Sequence, residues 1–299
     1  MKLEKIAHIE LPHNRPKWMK SHLANPVVQV LDSSHVRVYC NIRNQLNQTH
    51  ITYIDVDFSQ NYKVTYFHEE PLLSLGPVGA FDDNGQSLGC IISHESRDYL
   101  YFLGWNLADN VPFRNSIGLA SSPRGRNRFE KISLGPIMDR HIFDPFCLSY
   151  PFVLWHNGIY KMWYGSHKIS GAQVSDVRHC IKYAESEDLI YWDRKNIICL
   201  DVTSVDIAFT RPFVMFEDGI FKMWYSYLRQ NYRIGYAESK DGLNWMRMDE
   251  RVGIDVSIDG WDSDMIEYPY VFDYQSDRYL AYCGNQFGKT GFGLAKFVK

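Results

Sequence analysis

The chain repeats one phrase along most of its length. YPFVLWHNGIYKMWYGS begins at Tyr150, and RPFVMFEDGIFKMWYSY begins at Arg211. The opening of the phrase recurs as NPVVQVL at Asn25 and YPYVFD at Tyr268, and LGCIIS at Leu88 occupies the same slot without the proline. The five starts lie 57 to 63 residues apart, so five units account for nearly all 299 residues. A fixed period of this length is typical of solenoids and propellers.

A second phrase recurs inside the units. It reads IGLASS at Ile117, IKYAESEDLIYWDR at Ile181, IGYAESKDGLNWMRMD at Ile234 and FGLAKF at Phe292. Between and around these phrases are short runs rich in Val, Ile, Phe, Tyr and Trp, separated by the turn signals HNG, EDG and KDG. Such runs and turns indicate β-strands and hairpins. Each unit therefore predicts four antiparallel strands, of which the fourth carries a tryptophan.

One four-stranded sheet leaves too much apolar surface exposed to be stable alone, whereas radial packing of several sheets buries it. We therefore predict an all-β fold: a single five-bladed β-propeller domain over residues 1–299, with four-stranded antiparallel blades around a central funnel. The chain ends on GFGLAKFVK, which has the pattern of a third strand. The N-terminal KLEKIAHIEL is predicted to supply the fourth strand and close the ring. A two-sheet sandwich or two β domains is the alternative.

Composition excludes several classes of protein. The net charge is −3 without a basic block, so we expect no nucleic-acid partner. No apolar run is long enough to span a membrane, and the N-terminus lacks a signal-peptide pattern, so we expect a cytoplasmic protein without a membrane partner. We expect a monomer or a weak homo-oligomer.

The histidines form no HxxxH or HxH pair and the cysteines no CxxC pair, so we expect no metal site and no cofactor. The six cysteines, predicted to be free buried thiols, are Cys40, Cys90, Cys147, Cys180, Cys199 and Cys283.

The candidate chemistry lies near the proline phrases, because the first strand of each blade lines the channel of a propeller. Glycoside cleavage needs one protonated carboxylic acid and a second carboxylate. Several carboxylates around one funnel repel one another and destabilise the fold, unless their pKa values differ, they bind a cation or they take part in catalysis. The carboxylates in this region are Asp82, Asp83, Asp144, Asp206, Asp262, Asp264 and Glu267.

Each of these candidates also has a purely structural interpretation. An aspartate before a tight loop often caps backbone amides. Arg211 is a candidate for sugar positioning or for a structural ion pair, and His22 for the funnel or for a loop cap. Aromatic side chains that could stack on a sugar or fill the blade core are Trp105, Trp163, Trp224 and Trp261. The familiar nucleotide-binding and serine-hydrolase motifs do not occur.

The repeated phrases resemble the blades of the five-bladed glycoside hydrolase superfamily. The resemblance rests on YPFVLWHNGIYKMWYGS with IKYAESEDLIYW, and on RPFVMFEDGIFKMWYSY with IGYAESKDGLNW. That superfamily includes the arabinanases and xylosidases of glycoside hydrolase family 43, the invertases and levansucrases, and the mannoside phosphorylases of family 130. GAFDDNG, WDSDMIEYPY and GNQFGKTGFGLA look closer to a less characterised branch whose members accompany bacterial surface-polysaccharide synthesis genes.

The resemblance implies roles for some residues. Family 43 enzymes use an aspartate before a proline in blade one as general base, and Asn25 stands in that position here. An amide cannot accept a proton from water at neutral pH, so the sequence departs from ordinary family 43 hydrolysis. The general acid of the family often lies in a Glu-Gly-Pro setting, and Glu267-Tyr268-Pro269 has the same spacing, although in the fifth blade.

These residues are compatible with two functions. The first is a carbohydrate-active enzyme, hydrolase-like or a phosphorylase or transferase variant, with Glu267 as general acid and Asp82, Asp83 or Asp144 as the second carboxylate. Its ligand in the funnel would be a carbohydrate or a sugar nucleotide. Candidate binding residues are His22, Asn25, Arg43, Trp105, Arg140, Asp206, Arg211, Asp262 and Tyr268. The second function is a non-catalytic propeller that binds a glycan or a protein in polysaccharide biosynthesis.

Overall fold

Nearly all of the regular secondary structure of the chain is β-strand. A computed structural model describes residues 1–298, in which the chain begins with β1 (Leu3–Glu10). Eight strands follow: β2 (Ser21–Val30), β3 (His35–Arg43), β4 (Thr49–Asp57), β5 (Lys63–Phe67), β6 (Gly85–His94), β7 (Arg97–Asn106), β8 (Arg114–Pro123) and β9 (Glu130–Lys131). The next eight are β10 (Leu148–His156), β11 (Ile159–Ile169), β12 (Arg178–Ser186), β13 (Asp193–Leu200), β14 (Ala208–Glu217), β15 (Ile220–Leu228), β16 (Tyr232–Ser239) and β17 (Met246–Arg247). The last three are β18 (Glu267–Tyr274), β19 (Asp277–Cys283) and β20 (Gly291–Phe297).

Helical segments in this range are short. Two 3₁₀ turns cover Val174–Asp176 and Asp249–Arg251. The four-residue α1 (Asn285–Gly288) contains two residues with left-handed φ angles, Gln286 and Phe287. Across residues 1–298 no helix combines the length and the apolar character that crossing a bilayer requires. The all-β prediction is therefore confirmed.

Hydrogen bonds group the strands into five antiparallel sets of four. The first four sets are β2–β5, β6–β9, β10–β13 and β14–β17, and the fifth is β18, β19, β20 and β1. β1 pairs with β20, which confirms that the N-terminal strand supplies the missing strand of the last unit. A single parallel bridge between Thr49 and Gly85 joins the first two sets, and another between His179 and Ala208 joins the third and fourth.

The first strands of the five sets are neighbours in a cycle. β2 contacts β6, β6 contacts β10, β10 contacts β14, β14 contacts β18, and β18 contacts β2. In the described part of the chain, hydrogen bonds do not close any sheet on itself. The blade count and the single-domain boundary stay predictions.

The second repeated phrase forms a turn that locks neighbouring sets together. Ser186 Oγ accepts a hydrogen bond from the Leu189 N–H, and Asp188 Oδ1 accepts from the next two amides. The Leu189 carbonyl then accepts hydrogen bonds from Trp192 in its own set and from the Tyr101 hydroxyl, 2.6 Å away in the preceding set. Ser239, Asp241 and Gly242 repeat this turn, and the Gly242 carbonyl accepts from Trp245 and Trp163. These contacts explain why the phrase recurs.

Apolar side chains fill the interfaces between the sets. Trp163 and Trp224 are almost fully buried, so they belong to the core rather than to a sugar platform. Trp261 stacks on His8 with 4.2 Å between ring centroids. All six cysteines are buried and free, which confirms that prediction. Burial raises the pKa of Cys90 to about 12 and so leaves its thiol unreactive.

The proline phrases form bulges in the first strands. Asn25, Tyr150, Arg211 and Tyr268 each precede a proline and each have a left-handed φ angle, between 34° and 55°. The strand register shifts at each of these positions. A residue before proline is disfavoured in the helical region, and a bulge redirects the side chains around it. Left-handed backbone at non-glycine residues costs free energy and concentrates at functional sites.

Candidate functional site

One cavity receives side chains from all five sets. Its volume is about 540 Å³. Each first strand contributes at or near its bulge, through Asn25, Ser87, Tyr150, Thr210 and Tyr268. Ligand sites in proteins are generally concave and lined by aromatic and apolar groups with a few polar groups that fix orientation. This cavity is therefore the candidate functional site.

Trp105 forms an aromatic surface in the cavity. It is directly opposite Gly85 in the β6–β7 pair, and a Cβ atom at Gly85 would lie 2.1 Å from Trp105 Nε1. Only glycine therefore allows the indole to lie against the first strand. Phe113 and Phe287 also line the cavity. The sequence prediction that Trp105 faces the binding region agrees with this position.

Three histidines line the cavity, and all three are neutral at pH 7. Burial lowers the pKa of His167 to about 3 and that of His179 to about 4. The two rings stack with 5.1 Å between centroids, and the Nδ1–H of His179 donates to the Phe209 carbonyl. Burial, followed by the charges of Arg43 and Lys289, lowers the pKa of His22 to about 4. These imidazoles can donate or accept hydrogen bonds without carrying charge.

The cavity lining contains amide, hydroxyl and imidazole groups but, within residues 1–298, no aspartate or glutamate. Asn25, Asn41 and Asn115 supply amides, and Tyr232 and Tyr268 supply phenols. Arg43 is the one arginine or lysine among the described lining residues. The site is therefore suited to polar, uncharged hydroxyl groups and carries a single positive charge of its own.

Glu267 is beside the cavity but is fully buried. Neither of its carboxyl oxygens has a hydrogen-bond partner among the described residues, and burial raises the pKa of this group well above its usual range. It precedes Tyr268, which lines the cavity, just as Ala24, Ser149 and Thr210 precede their own bulge residues. Those three equivalents do line the cavity. Glu267 is thus a buried carboxyl group next to Tyr268 in the cavity wall, and burial favours its protonated form by raising its pKa.

Arg211 is also removed from the cavity. It is 1% exposed, and its Nη1 donates to the Gly89 carbonyl in the second set. Its Nε and Nη2 groups have no partner in the part of the chain that the structure describes. Burial lowers the pKa of this guanidinium. Arg211 therefore connects two sets that are not adjacent in the chain, rather than contacting the cavity.

Four of the predicted aspartates form ion pairs within their own sets and do not line the cavity. In each of these four sets, the aspartate before the first strand meets a cation on the fourth strand. The pairs are Asp82 with Lys131 at 2.8 Å, Asp144 with Arg194 at 3.2 Å, Asp206 with Arg247 at 2.7 Å and Asp262 with Lys5 at 2.6 Å. Burial alone would raise the pKa of Asp206, but hydrogen bonds from Arg247 and Arg229 outweigh it and lower that pKa. This placement favours a structural role for all four.

The remaining predicted residues have mixed positions. Asp83 accepts a hydrogen bond from the Gly79 amide at 2.8 Å, as expected of a turn residue. Arg140 lies in a different cavity of about 500 Å³, next to Asp139. His22, Asn25, Arg43, Trp105 and Tyr268 line the main cavity together. The structure therefore brings these five predicted residues together and separates them from the predicted carboxylates.

Several lining residues were not among the sequence predictions. Tyr150 and Ser149 could have been found, because they stand in the proline phrase of the third unit. His167 and His179 carry no such signal. They are cross-strand partners at the ends of β11 and β12, and only the pairing of those strands brings them together.

Comparison with solved structures supports the fold. The chain superposes on a structure described as a glycoside hydrolase with a TM-score of 0.77 and 16% identity, covering 99% of this chain and 91% of the other. A thermostable family-43 glycoside hydrolase superposes with a TM-score of 0.68 and 15% identity, covering 96% of this chain and 93% of the other. A structure from the GH130 family of mannoside phosphorylases superposes with a TM-score of 0.70 and 15% identity, covering 97% of this chain and 90% of the other. The fold is that of the propeller glycoside hydrolases, as the sequence resemblance implies.

Comparison of sequences gives much closer relatives. No family model matches the chain. It is 40% identical over 296 residues to Uncharacterized protein Rv1502 of Mycobacterium tuberculosis strain H37Rv, covering 99% of both chains. The same identity and coverage relate it to protein MT1551 of strain CDC 1551. The chain therefore belongs to the family of the Mycobacterium tuberculosis protein Rv1502.

Proposed function

We propose that the chain is a five-bladed propeller whose central cavity binds a carbohydrate. The five antiparallel sets would be the blades, and the cycle of contacts among the first strands would enclose the funnel. The cavity receives residues from every set, as a site on the axis of such a ring requires. The likeness to glycoside hydrolases adds support at the level of fold alone.

The composition of the cavity lining carries this proposal. An aromatic face at Trp105, amides at Asn25 and Asn115, and neutral imidazoles at His167 and His179 surround one volume. The apolar face of a sugar ring packs on an indole, and its hydroxyl groups pair with amides and imidazoles. A volume of about 540 Å³ accommodates a ligand of small-molecule size.

The geometry favours binding over hydrolysis. Both retaining and inverting glycosidases require two carboxyl groups at the scissile bond. Among residues 1–298 no carboxylate lines the cavity; of the aspartates predicted for this role, Asp82 and Asp144 are paired with lysine or arginine, and Asp83 accepts from a backbone amide in a turn. Asn25 holds the place where the family 43 resemblance expects a general base. We therefore propose that the chain recognises a glycan without hydrolysing it.

Saturation-transfer NMR against a panel of mono- and disaccharides tests this proposal. We expect at least one sugar to bind wild-type protein and to lose its signal with Trp105→Ala. The matched control is Trp155→Ala, because Trp155 is about half exposed and does not line the cavity. Failure of every sugar to bind, or equal loss with both variants, would refute the proposed site.

A second candidate is glycosyl transfer or phosphorolysis with Glu267 as general acid. It is favoured by the position of Glu267, whose equivalents in other sets line the cavity, and by burial, which raises the pKa of this carboxyl group. A phosphorylase needs no base to activate water, so it tolerates Asn25. A movement of Tyr268 would have to expose the acid to the ligand. The association with surface-polysaccharide synthesis that the sequence resemblance implies is compatible with both candidates.

Turnover assays with sugar phosphates and sugar nucleotides distinguish the two candidates. For the enzyme, Glu267→Gln would abolish turnover and leave sugar binding intact, whereas Glu95→Gln, at an exposed glutamate, would change neither. Full turnover in Glu267→Gln would eliminate Glu267 as the acid. Sugar binding by wild-type protein without turnover of any donor would leave the binding function.

A further inference from the structure

Two cations lie near His22 at one corner of the cavity: Arg43, which lines the cavity, and the exposed Lys289, which is outside its described lining. Arg43 lines the cavity at the end of β3, where it pairs across the sheet with Ser21. Lys289 directly follows α1, and its carbonyl accepts a hydrogen bond from the His22 backbone amide at 3.2 Å. We call His22, Arg43 and Lys289 the cationic corner.

No carboxylate in the described part of the chain lies within 4 Å of either cation. Arg43 Nη1 donates to Asn47 Oδ1 at 2.9 Å, and Lys289 Nζ donates to Gln286 Oε1 at 2.9 Å. Both acceptors are neutral amides. By contrast, Lys131, Arg194 and Arg247 on three of the fourth strands each meet an aspartate. No neighbouring carboxylate in residues 1–298 therefore neutralises the positive charges of the cationic corner.

The field of these cations acts on His22 itself. After burial, the charges of Arg43 and Lys289 are the next causes that lower the pKa of His22. His22 has a left-handed φ angle of 68°, and the β2–β3 register shifts beside it. A bulge of this kind redirects a side chain, and strained backbone concentrates at ligand sites.

The other described residues of the cavity lining would not repel an anion. Its described lining contains no acidic side chain, so a negative group that enters meets no like charge. A concave site lined by one sign of charge raises the local concentration of ligands of the opposite sign. Hydrogen bonds from a guanidinium or an ammonium to a phosphate or carboxylate are stronger than those between neutral groups.

We infer that the carbohydrate bound in the cavity carries an anionic group, a phosphate or a carboxylate, that contacts the cationic corner. This inference rests on the proposed carbohydrate binding and names the class of ligand. The sugar ring would pack near Trp105, and its anionic group would accept hydrogen bonds from Arg43 and Lys289.

Isothermal titration with matched sugars tests the inference. The probes are glucose, mannose and galactose, their 1-phosphates, and the corresponding uronates. We expect the phosphates or the uronates to bind about tenfold or more tightly than the neutral sugar. Tighter binding of the phosphates would assign the corner to sugar phosphates or nucleotides. Tighter binding of the uronates would assign it to acidic sugars.

Two double variants locate the effect. Arg43→Gln with Lys289→Gln should bring the anionic probe to within about twofold of the neutral sugar, a negligible free-energy difference. Arg126→Gln with Lys240→Gln removes the same charge from exposed positions outside the cavity and should keep the preference. The single variant Arg43→Lys, which keeps the positive charge, should retain part of the preference for the anionic probe. Thermal unfolding of each variant verifies that it is folded.

The outcomes separate this inference from the proposed function. Equal affinity for neutral and anionic sugars would overturn the inference and leave carbohydrate binding intact. An equal loss of preference in both double variants would also overturn it, because the effect would then be long-range. If no probe of either kind binds wild-type protein, carbohydrate binding fails, and the inference with it.

Discussion

Lys5 Nζ lies 2.6 Å from Asp262 Oδ2, although the two residues are 257 positions apart in the chain. Asp262 also accepts a hydrogen bond from the Tyr282 hydroxyl in the same set. The pair fixes β1 to the segment that leads into β18. Asp82, Asp144 and Asp206 make the same kind of contact in their own sets. Four of the five sets thus secure the entry to their first strand through an ion pair with their fourth.

Asp144 should be important for stability rather than for ligand binding. It is fully buried and holds Lys182 and Arg194 as well as the Ser166 hydroxyl. Asp144→Asn leaves these cations without a counter-charge, and breaking a buried pair costs about 3–5 kcal/mol. Urea unfolding should register this loss.

The control for this prediction is Asp193→Asn, since Asp193 is 68% exposed and pairs weakly with Lys195 at 3.7 Å. It should change the free energy of unfolding by about 0.5 kcal/mol or less. If Asp144→Asn kept full stability but lost sugar affinity, Asp144 would act on the ligand after all.

Glu217 should contribute stability that is lost in acid. Hydrogen bonds from Arg278 and Lys222 lower its pKa to about 2, and the bond from Arg278 joins the fourth set to the fifth. A depressed folded pKa stabilises the protein above the unfolded pKa, and this stabilisation disappears as pH falls toward 2. Glu217→Gln should therefore cost roughly 1–2 kcal/mol at pH 6, after screening by solvent.

Urea unfolding at pH 6, 5, 4 and 3 measures this effect. The gap between wild type and Glu217→Gln should narrow toward the acid end. Glu95→Gln, at an 80% exposed glutamate, should show no such trend. A gap that stays constant with pH would contradict the ion pair as its origin.

Glu267 should have the opposite pH dependence. Burial raises its folded pKa, so above about pH 4.5 the unfolded chain loses a proton that the folded protein keeps. Wild-type stability should therefore fall relative to Glu267→Gln by up to about 1.4 kcal/mol per pH unit. Denaturant unfolding at pH 5.5, 6.5 and 7.5 measures the divergence. Parallel curves would mean that Glu267 is ionised in the folded protein.

Gly85 should control the position of Trp105. A methyl group at Gly85 would lie 2.1 Å from the indole nitrogen, so Gly85→Ala must displace the ring. Overpacking of this kind costs about 1–3 kcal/mol of stability. Sugar affinity should fall about tenfold or more, because the indole leaves its place in the cavity wall.

Gly135→Ala is the matched control, since a Cβ atom there meets nothing within 4 Å. Sugar titration and thermal unfolding of both variants give the comparison. Unchanged affinity in Gly85→Ala would argue against Trp105 as a sugar surface.

Much of the architecture could be predicted from periodicity alone. The spacing of the proline phrases predicted the five strand sets, and the incomplete last unit predicted that β1 would pair with β20. The alternation of apolar and turn residues is a local property, and backbone hydrogen bonding converts it directly into strands and hairpins. The turn around Leu189 recurs around Gly242 for the same local reason.

The roles of the charged residues depended on tertiary structure. Asp82 and Asp144 have the same sequence context as catalytic carboxylates would have, but Lys131 and Arg194 pair with them from strands about 50 residues further along. Nothing in the sequence around Glu267 predicts that its carboxyl group is buried next to Tyr268. Whether a carboxyl group is ionised, paired or buried is set by the dielectric and the charges around it in space. Local pattern therefore determined the strands, and only the packing of distant strands decided which side chains reach the cavity.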